Sequence, residues 1–408
     1  MKNNIIPEIR FPTFTEDWEQ RKLGDLAEFT KGNGYSKSDL TNEGKPIILY
    51  GRLYTKYETV IKSVDTFTIE KENSVISRGD EVIVPSSGET SEDISRASAV
   101  SKSGIILGGD LNIIRPSNEI YPIFVALTIS NGKQQKELSK RAQGKSVVHL
   151  HNSDLKDVIL TFPLKEEQIK IGEFFTRLDE MIALHQQELT TLQQAKQGFL
   201  QKMFPKEGES MPEVRFPGFT GEWEQRKLSE VAEIFGGGTP RTDIQEYWDG
   251  DIDWYSPVEI GKEIYVFGSQ RKITTLGLRK SSAKVLPANK TILFTSRAGI
   301  GDMAILKKDG ATNQGFQSLV VNNNYDVYFV YSIGNKIKEY ALKNASGSTF
   351  LEISGKKLGK MDILIPSLIE QTHIGNFFKQ LDDIIALHKR ELDTLKVTKN
   401  AFLQKMFV

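Results

Sequence analysis

Five histidines, one acidic cluster and two glycine-containing loops are the residues of this 408-residue chain whose types and spacing suggest chemistry. His149 and His151, in the run VVHLH, point to one side of an extended strand, where paired imidazoles bind a metal or meet a phosphate. No third ligand is near in sequence, so no metal site is expected. Asp80 and Glu81 with Glu89 and Glu92 would suit magnesium in a nuclease, although solvated loop carboxylates are the simpler expectation. Gly144, Lys145 and Ser146 imitate the end of a nucleotide-binding loop, yet position 139 is Ser where that motif needs glycine. Gly236, Gly237 and Gly238 lead into Thr239, Pro240, Arg241 and a turn, with no helix to receive a phosphate; they are expected to approach a ligand or another backbone. An adenine pocket of the Asn/Asp-Pro-Pro-aromatic kind is absent, because the sequence has no Pro-Pro. No catalytic residue is nominated.

The elements that must position these residues belong to an ordinary globular chain, with 38% hydrophobic and 26% charged residues. No stretch approaches the length of a membrane span, and the opening MKNNIIPEIRF meets proline and charge before any apolar run, so a cytoplasmic location is expected. The absence of cysteine excludes disulfides, thiol nucleophiles and thiolate metal sites. Basic and acidic residues balance at 53 each, which argues against indiscriminate coating of nucleic acid. Local fields survive the balance: between Glu263 and Asp302 lie Arg271, Lys272, Arg279, Lys280, Lys284, Lys290 and Arg297 with no acid. A weaker basic run in residues 120–153 sets Lys133, Lys136, Lys140, Arg141 and Lys145 against Glu137 alone.

The chain repeats itself. Residues 7–28 return at 212–233 with 15 of 22 positions identical, and residues 163–204 return at 366–407 with 24 of 42 identical. Between these boxes, residues 29–162 and 234–365 cannot be aligned beyond a late glycine-containing loop and an apolar strand ending in proline. Two modules with one mounting and different working surfaces suggest two targets presented in one geometry. Free drift of duplicated middles would have blurred the boxes too.

After Pro163 and Pro366 the pattern becomes that of a long helix. Ile171, Phe175, Leu178, Ile182, His185, Leu189, Leu192, Phe199 and Met203 fall in steps that define a heptad seam, with Lys196 the other polar residue on it. Ile374, Phe378, Leu381, Ile385, His388, Leu392, Leu395, Phe402 and Met406 repeat the seam, with Lys399 in place of Lys196. Residues 171–203 number about 33, or roughly 50 Å of helix. An antiparallel pairing with full overlap matches residues whose numbers sum to 577, so that Ile171 meets Met406, Phe175 meets Phe402, Ile182 meets Leu395 and Phe199 meets Phe378. His185 then faces Leu392 and His388 faces Leu189, as devices that fix register rather than as ligands. The short polar linker 205–211 and the repeat together predict that Val408 lies near residues 1–6.

The box RFP-F--EWE-RKL, the variable segment, the Pro-x-x-x-EQ-x-x-IG-x-FF-x-x-LD start and the helix closing on FLQKMF, all occurring twice, resemble type I restriction-modification specificity subunits over the whole chain. The resemblance implies an α+β fold: two globular mixed α/β target recognition domains separated by two long antiparallel helices that form a coiled coil, in a pseudo-two-fold internal duplication. On this reading residues 1–165 and 212–368 are the recognition domains, 166–204 and 369–408 the helical spacers, and 205–211 the linker. It implies a non-catalytic subunit that binds double-stranded DNA at an asymmetric bipartite site, one half-site per domain. Methyltransferase subunits, two by expectation, would bring S-adenosylmethionine, and restriction motor-nuclease subunits would bring ATP and magnesium. A related system with methylation and cleavage in one partner polypeptide, and a non-DNA protein scaffold, are the alternatives; nothing in the residues supports an autonomous methyltransferase.

Given DNA as the ligand, forked and amide side chains on loops are the candidate base readers, while lysines and hydroxyls hold phosphates. In the second domain Arg241, Arg297, Asn313, Gln314 and Gln317 are nominated near bases, and Arg271, Arg279, Lys280, Lys284 and Ser348 near phosphates. The first domain nominates Arg52, Lys56, Ser87, Arg96, Lys145 and His149.

Overall fold

The computed structural model describes residues 6–142, 147–297, 299–347 and 351–407. Contacts divide the chain into two compact units, one of residues 1–187 with 389–408 and the other of residues 188–388. Both divisions fall inside long helices, Lys165–Lys202 and Leu368–Lys405. Each unit therefore owns the first part of one helix and the last part of the other. Among the described residues no helix is long and apolar enough to cross a membrane.

In the first unit a five-stranded sheet runs in the order Ala27–Lys31, Leu111–Pro116, Glu81–Pro85, Ser98–Val100, Val60–Ile61. Its first three pairings are antiparallel and its last is parallel. The second unit has a five-stranded sheet in the order Ala232–Gly236, Gln317–Val321, Thr291–Phe294, Met303–Leu306, Tyr265–Val266. It too is antiparallel three times and then parallel. The segments that could not be aligned thus share a topology, because hydrophobic alternation tolerates wide substitution where pairing order does not change.

The two units part company in their smaller sheets. The first unit has four short strands, in the order Ile106–Leu107, Lys45–Ile48, Phe67–Thr68, Leu40–Thr41. The second has three, with the eight-residue Trp248–Tyr255 between Arg271–Ile273 and Gly310–Thr312.

The repeated motifs hold the globular part of each unit to its helices. The box strand Glu19–Lys22 pairs antiparallel with Ile159–Phe162, and Glu224–Lys227 with Asp362–Ile365. Arg10 donates two hydrogen bonds of 2.7 Å to the Glu167 carboxylate, and Arg215 donates 2.6 and 2.7 Å bonds to Glu370. Gln168 Nε2 donates to the Pro163 carbonyl at 2.9 Å while its Oε1 accepts from the Tyr121 N–H at 2.8 Å. Gln371 repeats this with Pro366 at 2.9 Å and Asp326 N–H at 3.0 Å. The glycine of the IG motif is required by contact: a Cβ on Gly172 would stand 2.6 Å from the Tyr121 ring, and one on Gly375 2.3 Å from Asp326 Oδ1.

Each core is closed by the end of a helix from elsewhere in the sequence. Leu403 and Met406 join Trp18, Phe124, Ile171 and Phe175 in the first unit. Met203 and Phe204 join Trp223, Phe329, Ile374 and Phe378 in the second. Burying each large apolar side chain contributes about 1.5–3 kcal/mol. Phe174 meets Phe402 edge-on at 5.0 Å and Phe199 meets Phe377 in the same way at 5.0 Å. Phe175 instead tilts against Phe407 at 5.9 Å, and Phe378 stacks on Phe204 at 5.9 Å. The ring found against Phe402 is therefore that of Phe174, one residue from the expected seam position, because Phe175 turns inward to the core. Lys399 pairs with Asp179, and Lys196 with Asp382 at 2.5 Å.

Of the remaining seam positions, Leu178, Leu189 and Leu392 are buried, while Ile182, Leu192, Leu381, Ile385 and Leu395 are half-buried. His185 Nδ1 lies 3.6 Å from a Glu391 oxygen, and His388 Nδ1 3.3 Å from a Glu188 oxygen, beside the leucines they were expected to face. Val408 and residues 1–5 lie outside the described residues. Their neighbours meet: Ile9 N–H donates to the Lys405 carbonyl at 3.0 Å, as Val214 N–H donates to Lys202 at 2.9 Å.

Candidate nucleic-acid interface

In the second unit three loops converge beside the smaller sheet. The glycine loop approaches backbone so closely that a Cβ on Gly237 would stand 2.0 Å from the Asn313 carbonyl oxygen, and one on Gly238 2.4 Å from Ser282 Oγ. Gly238 N–H donates to Thr312 O at 2.9 Å, and the Thr239 hydroxyl donates to the Gln314 side chain. Trp254 Nε1 donates to the Gly238 carbonyl at 2.8 Å, and Trp248 Nε1 to the Arg241 carbonyl at 3.1 Å. Two indoles thereby fix the loop that carries Arg241.

Asn313, Gln314 and Gln317 come together around that loop. Asn313 Oδ1 accepts from Gly315 N–H at 2.7 Å, Gln314 is exposed, and Gln317 pairs with Gly236 across the large sheet. Ser296 N–H donates to Gly315 O at 2.7 Å, which brings the half-buried Arg297 beside the same turn. Lys284 lies 4.9 Å above the Phe235 ring. Arg279 ends the short helix Thr275–Arg279 and Lys280 follows it; both are exposed and neither has a carboxylate partner among the described residues. Arg241 is exposed but forked onto Asp243 at 3.1 and 2.6 Å. Ser348 lies outside the described residues.

Arg271 has a firmer setting than its sequence suggested. Its guanidinium carbon stands 3.7 Å from the centre of the Trp248 ring and 5.6 Å from that of Trp254. The indoles are buried, perpendicular and 5.1 Å apart, whereas Arg271 is exposed. Its backbone lies opposite Trp254 in the sheet, and its carbonyl accepts from Ser269 Oγ at 2.5 Å. Asp253 anchors that turn by accepting from Ser269 N–H at 3.1 Å and Lys308 Nζ at 2.6 Å. Burial pushes the Asp253 carboxyl up, but hydrogen bonds from Lys308 and Ser269 outweigh it and hold the group below its ordinary range. Sequence reasoning missed this assembly, although two tryptophans in the run WDGDIDWY were a usable signal.

The first unit gathers fewer of its nominated residues. Ser87 and His149 face each other across a two-stranded ribbon, with Ser87 Oγ 3.3 Å from His149 Nδ1. The His149 and His151 rings stack at 6.5 Å, nearly parallel. Tyr54 donates to the Ser87 carbonyl at 2.5 Å, which brings a tyrosine into the group that the sequence had not nominated. Arg96 pairs with Asp93 at 3.1 Å over the Tyr57 ring.

Arg52 is a correction. Its side chain is only 9% exposed and bonded to Glu58 at 2.7 Å and Asp65 at 2.8 Å, so it braces the turn it begins and presents no fork to a groove. Lys56 also pairs with Asp65, at 3.0 Å, and hydrogen bonds from Lys56 and Arg52 hold that carboxyl down at about 2. Lys145 lies outside the described residues, as does the loop of Gly144 and Ser146. Glu81 is fully buried and accepts from the N–H groups of Arg78 and Gly79 at 2.7 and 3.0 Å, which is a turn staple. His373 packs edge-on against Phe216 and Phe219 of the second box.

Known proteins match this arrangement in both halves. The family described as type I restriction modification DNA specificity domain matches residues 15–194 and again 220–397. The type I restriction enzyme MjaIX specificity subunit of Methanocaldococcus jannaschii is 35% identical over 191 residues, which are 46% of this chain and 44% of that one. The match thus spans less than half of that relative. A putative type I restriction enzyme MjaX specificity subunit from the same organism is 25% identical over 411 residues, covering 95% of this chain and 92% of its own. The crystal structure of a type I restriction-modification S subunit from M. genitalium has the same fold, with a TM-score of 0.65 over 99% of both chains at 18% identity. With its two family matches covering most of its length, the chain belongs to the type I restriction modification DNA specificity family.

Proposed function

We propose that the chain is the specificity subunit of a type I restriction-modification complex and reads a bipartite double-stranded DNA site, one half-site with each unit. The observation that carries this reading is one mount bearing two different tips. Arg10 with Glu167 and Arg215 with Glu370 fasten sheets of identical order, while the smaller sheets and their loops differ. Unlike tips read unlike sequences, so the target is asymmetric. The exposed cations and amides around Gly237 supply what groove reading and phosphate holding require.

In this reading the subunit makes and breaks no bonds. Methyltransferase subunits, two of them, dock on its repeated frame and bring S-adenosylmethionine; motor-nuclease subunits add ATP and magnesium for cleavage. The duplicated boxes offer the same docking chemistry twice, which is the support for two. Residues 1–165 and 212–368 act as readers, with the helices as the spacer between half-sites.

The test is selection from random double-stranded DNA by the chain copurified with its partners. Enrichment of two short unlike sequences at one fixed gap is expected. A complex that enriches no sequence would overturn the reading in favour of a protein scaffold. A single copurifying polypeptide that both methylates and cleaves would assign the chain to a related system.

A further inference from the structure

An arginine can hold a phosphate or read a base, and its surroundings favour one role. A phosphate contact needs only charge within reach and tolerates a mobile side chain. A guanine contact needs a planar fork held in one orientation, with two N–H groups directed at the O6 and N7 acceptors. Arg271 has the second kind of setting. Its guanidinium carbon lies over the Trp248 ring at 3.7 Å from the centre, a distance suited to face-to-face stacking, and the Trp254 ring stands perpendicular to that of Trp248. Stacking engages the face of the guanidinium and leaves its N–H edge available. No carboxylate competes for that edge among the described residues, whereas Arg241 is held by Asp243 and Arg52 by Glu58 and Asp65.

The support beneath the stack is equally constrained. Both indoles are buried and spend their N–H groups on the glycine loop, at Gly238 and Arg241. The same loop is tied to Thr312 and Gln314, so the stacked fork is mechanically joined to the amide-bearing turn. Asp253 fixes the preceding Ser269, whose hydroxyl donates to the Arg271 carbonyl. A side chain whose backbone and plane are both fixed loses little further entropy when it forms two hydrogen bonds.

We infer that Arg271 reads a guanine in the half-site of the second unit, with Trp248 as the residue that orients it. The inference rests on the proposed DNA-reading role and changes the expectation from sequence, which set Arg271 on a phosphate. Lysine cannot replace a fork at a base but can replace a charge at a phosphate.

Arg271→Lys and Arg271→Ala, each in the complete complex with its partners, are measured by affinity against a library of single-base variants of the selected site. Both changes are expected to lose roughly 5- to 150-fold discrimination at one G·C pair of the second half-site. Preference at other pairs and the whole first half-site should be unaltered, and the salt dependence of Arg271→Lys should match wild type. Trp248→Phe, which keeps a smaller ring under the guanidinium, should lose part of the same preference at the same pair. Uniform weakening on all sequences by Arg271→Ala, with Arg271→Lys near wild type, would overturn the inference and make Arg271 a phosphate contact. Unchanged discrimination in both variants would overturn it as well. If the wild-type complex selects no sequence, the proposed function fails instead, and that outcome is visible before any variant is made.

Discussion

Arg10 and Glu167 form a two-point ion pair in which the carboxylate side chain is 1% exposed, 157 positions apart in sequence. The pair closes the first box onto the start of the first long helix. Arg215 and Glu370 repeat it in the second unit. Removing one partner of a buried pair strands the other charge, at a cost of about 3–5 kcal/mol. Arg10→Ala should therefore lower the denaturant midpoint of the first unit while the second unfolds as in wild type, followed by probes placed in each unit. An equal shift in both units would contradict the assignment.

Gly375→Ala tests the contact behind the glycine of the repeated IG motif. The added methyl would meet Asp326 Oδ1, which accepts from Phe329 N–H at 2.8 Å and caps the helix Val327–Ser332. Overpacking of this kind costs about 1–3 kcal/mol, even though alanine normally favours helix over glycine. Thermal unfolding of the variant measures it; a more stable protein would refute the contact.

Asp253 gives a pH dependence with a defined sign. Its carboxyl is held below the ordinary range in the folded chain, so the unfolded chain binds the proton more tightly. The stabilisation is present above the unfolded carboxylate value, near 4, and fades as pH falls through the folded value. Asp253→Asn should remove that part of the acid sensitivity and flatten stability as pH falls below about 4. An unchanged acid profile would show that the Lys308 contact contributes nothing.

Two surface changes separate positioning from reading. Lys280→Ala should weaken binding to every sequence and reduce the slope of log affinity against log salt by about 0.9. Arg297→Ala, beside the Asn313 turn, should weaken or relax reading of the second half-site alone. Affinity titrations at several salt concentrations distinguish them, and equal loss on both half-sites from Arg297→Ala would count against modular reading.

The frame was legible in the sequence because it is written twice. Repeated boxes located both long helices and the apolar strand that ends in proline before each, and the heptad seam led to side-chain pairs between the helix segments within each unit. Asp179 with Lys399 and Asp382 with Lys196 are related by the repeat. Choosing Phe174 or Phe175 as the ring against Phe402 was beyond a seam count, since two adjacent phenylalanines divide between the helix partner and the core according to packing. The tips were far less legible. Charge alone made Arg52 and Arg271 look alike, yet one is half-buried and held by two carboxylates and the other lies exposed on an indole. Their difference arises from residues brought near by folding, Asp65 for one and Trp248 for the other.

Two unlike readers on one mount is the central claim, and mapping methylated adenines in a genome exposed to the complete complex tests it most directly. The account predicts one two-part motif with unlike halves at a constant gap, with changes at Arg297 altering only one half. A palindromic motif, or a continuous one without a gap, would contradict it.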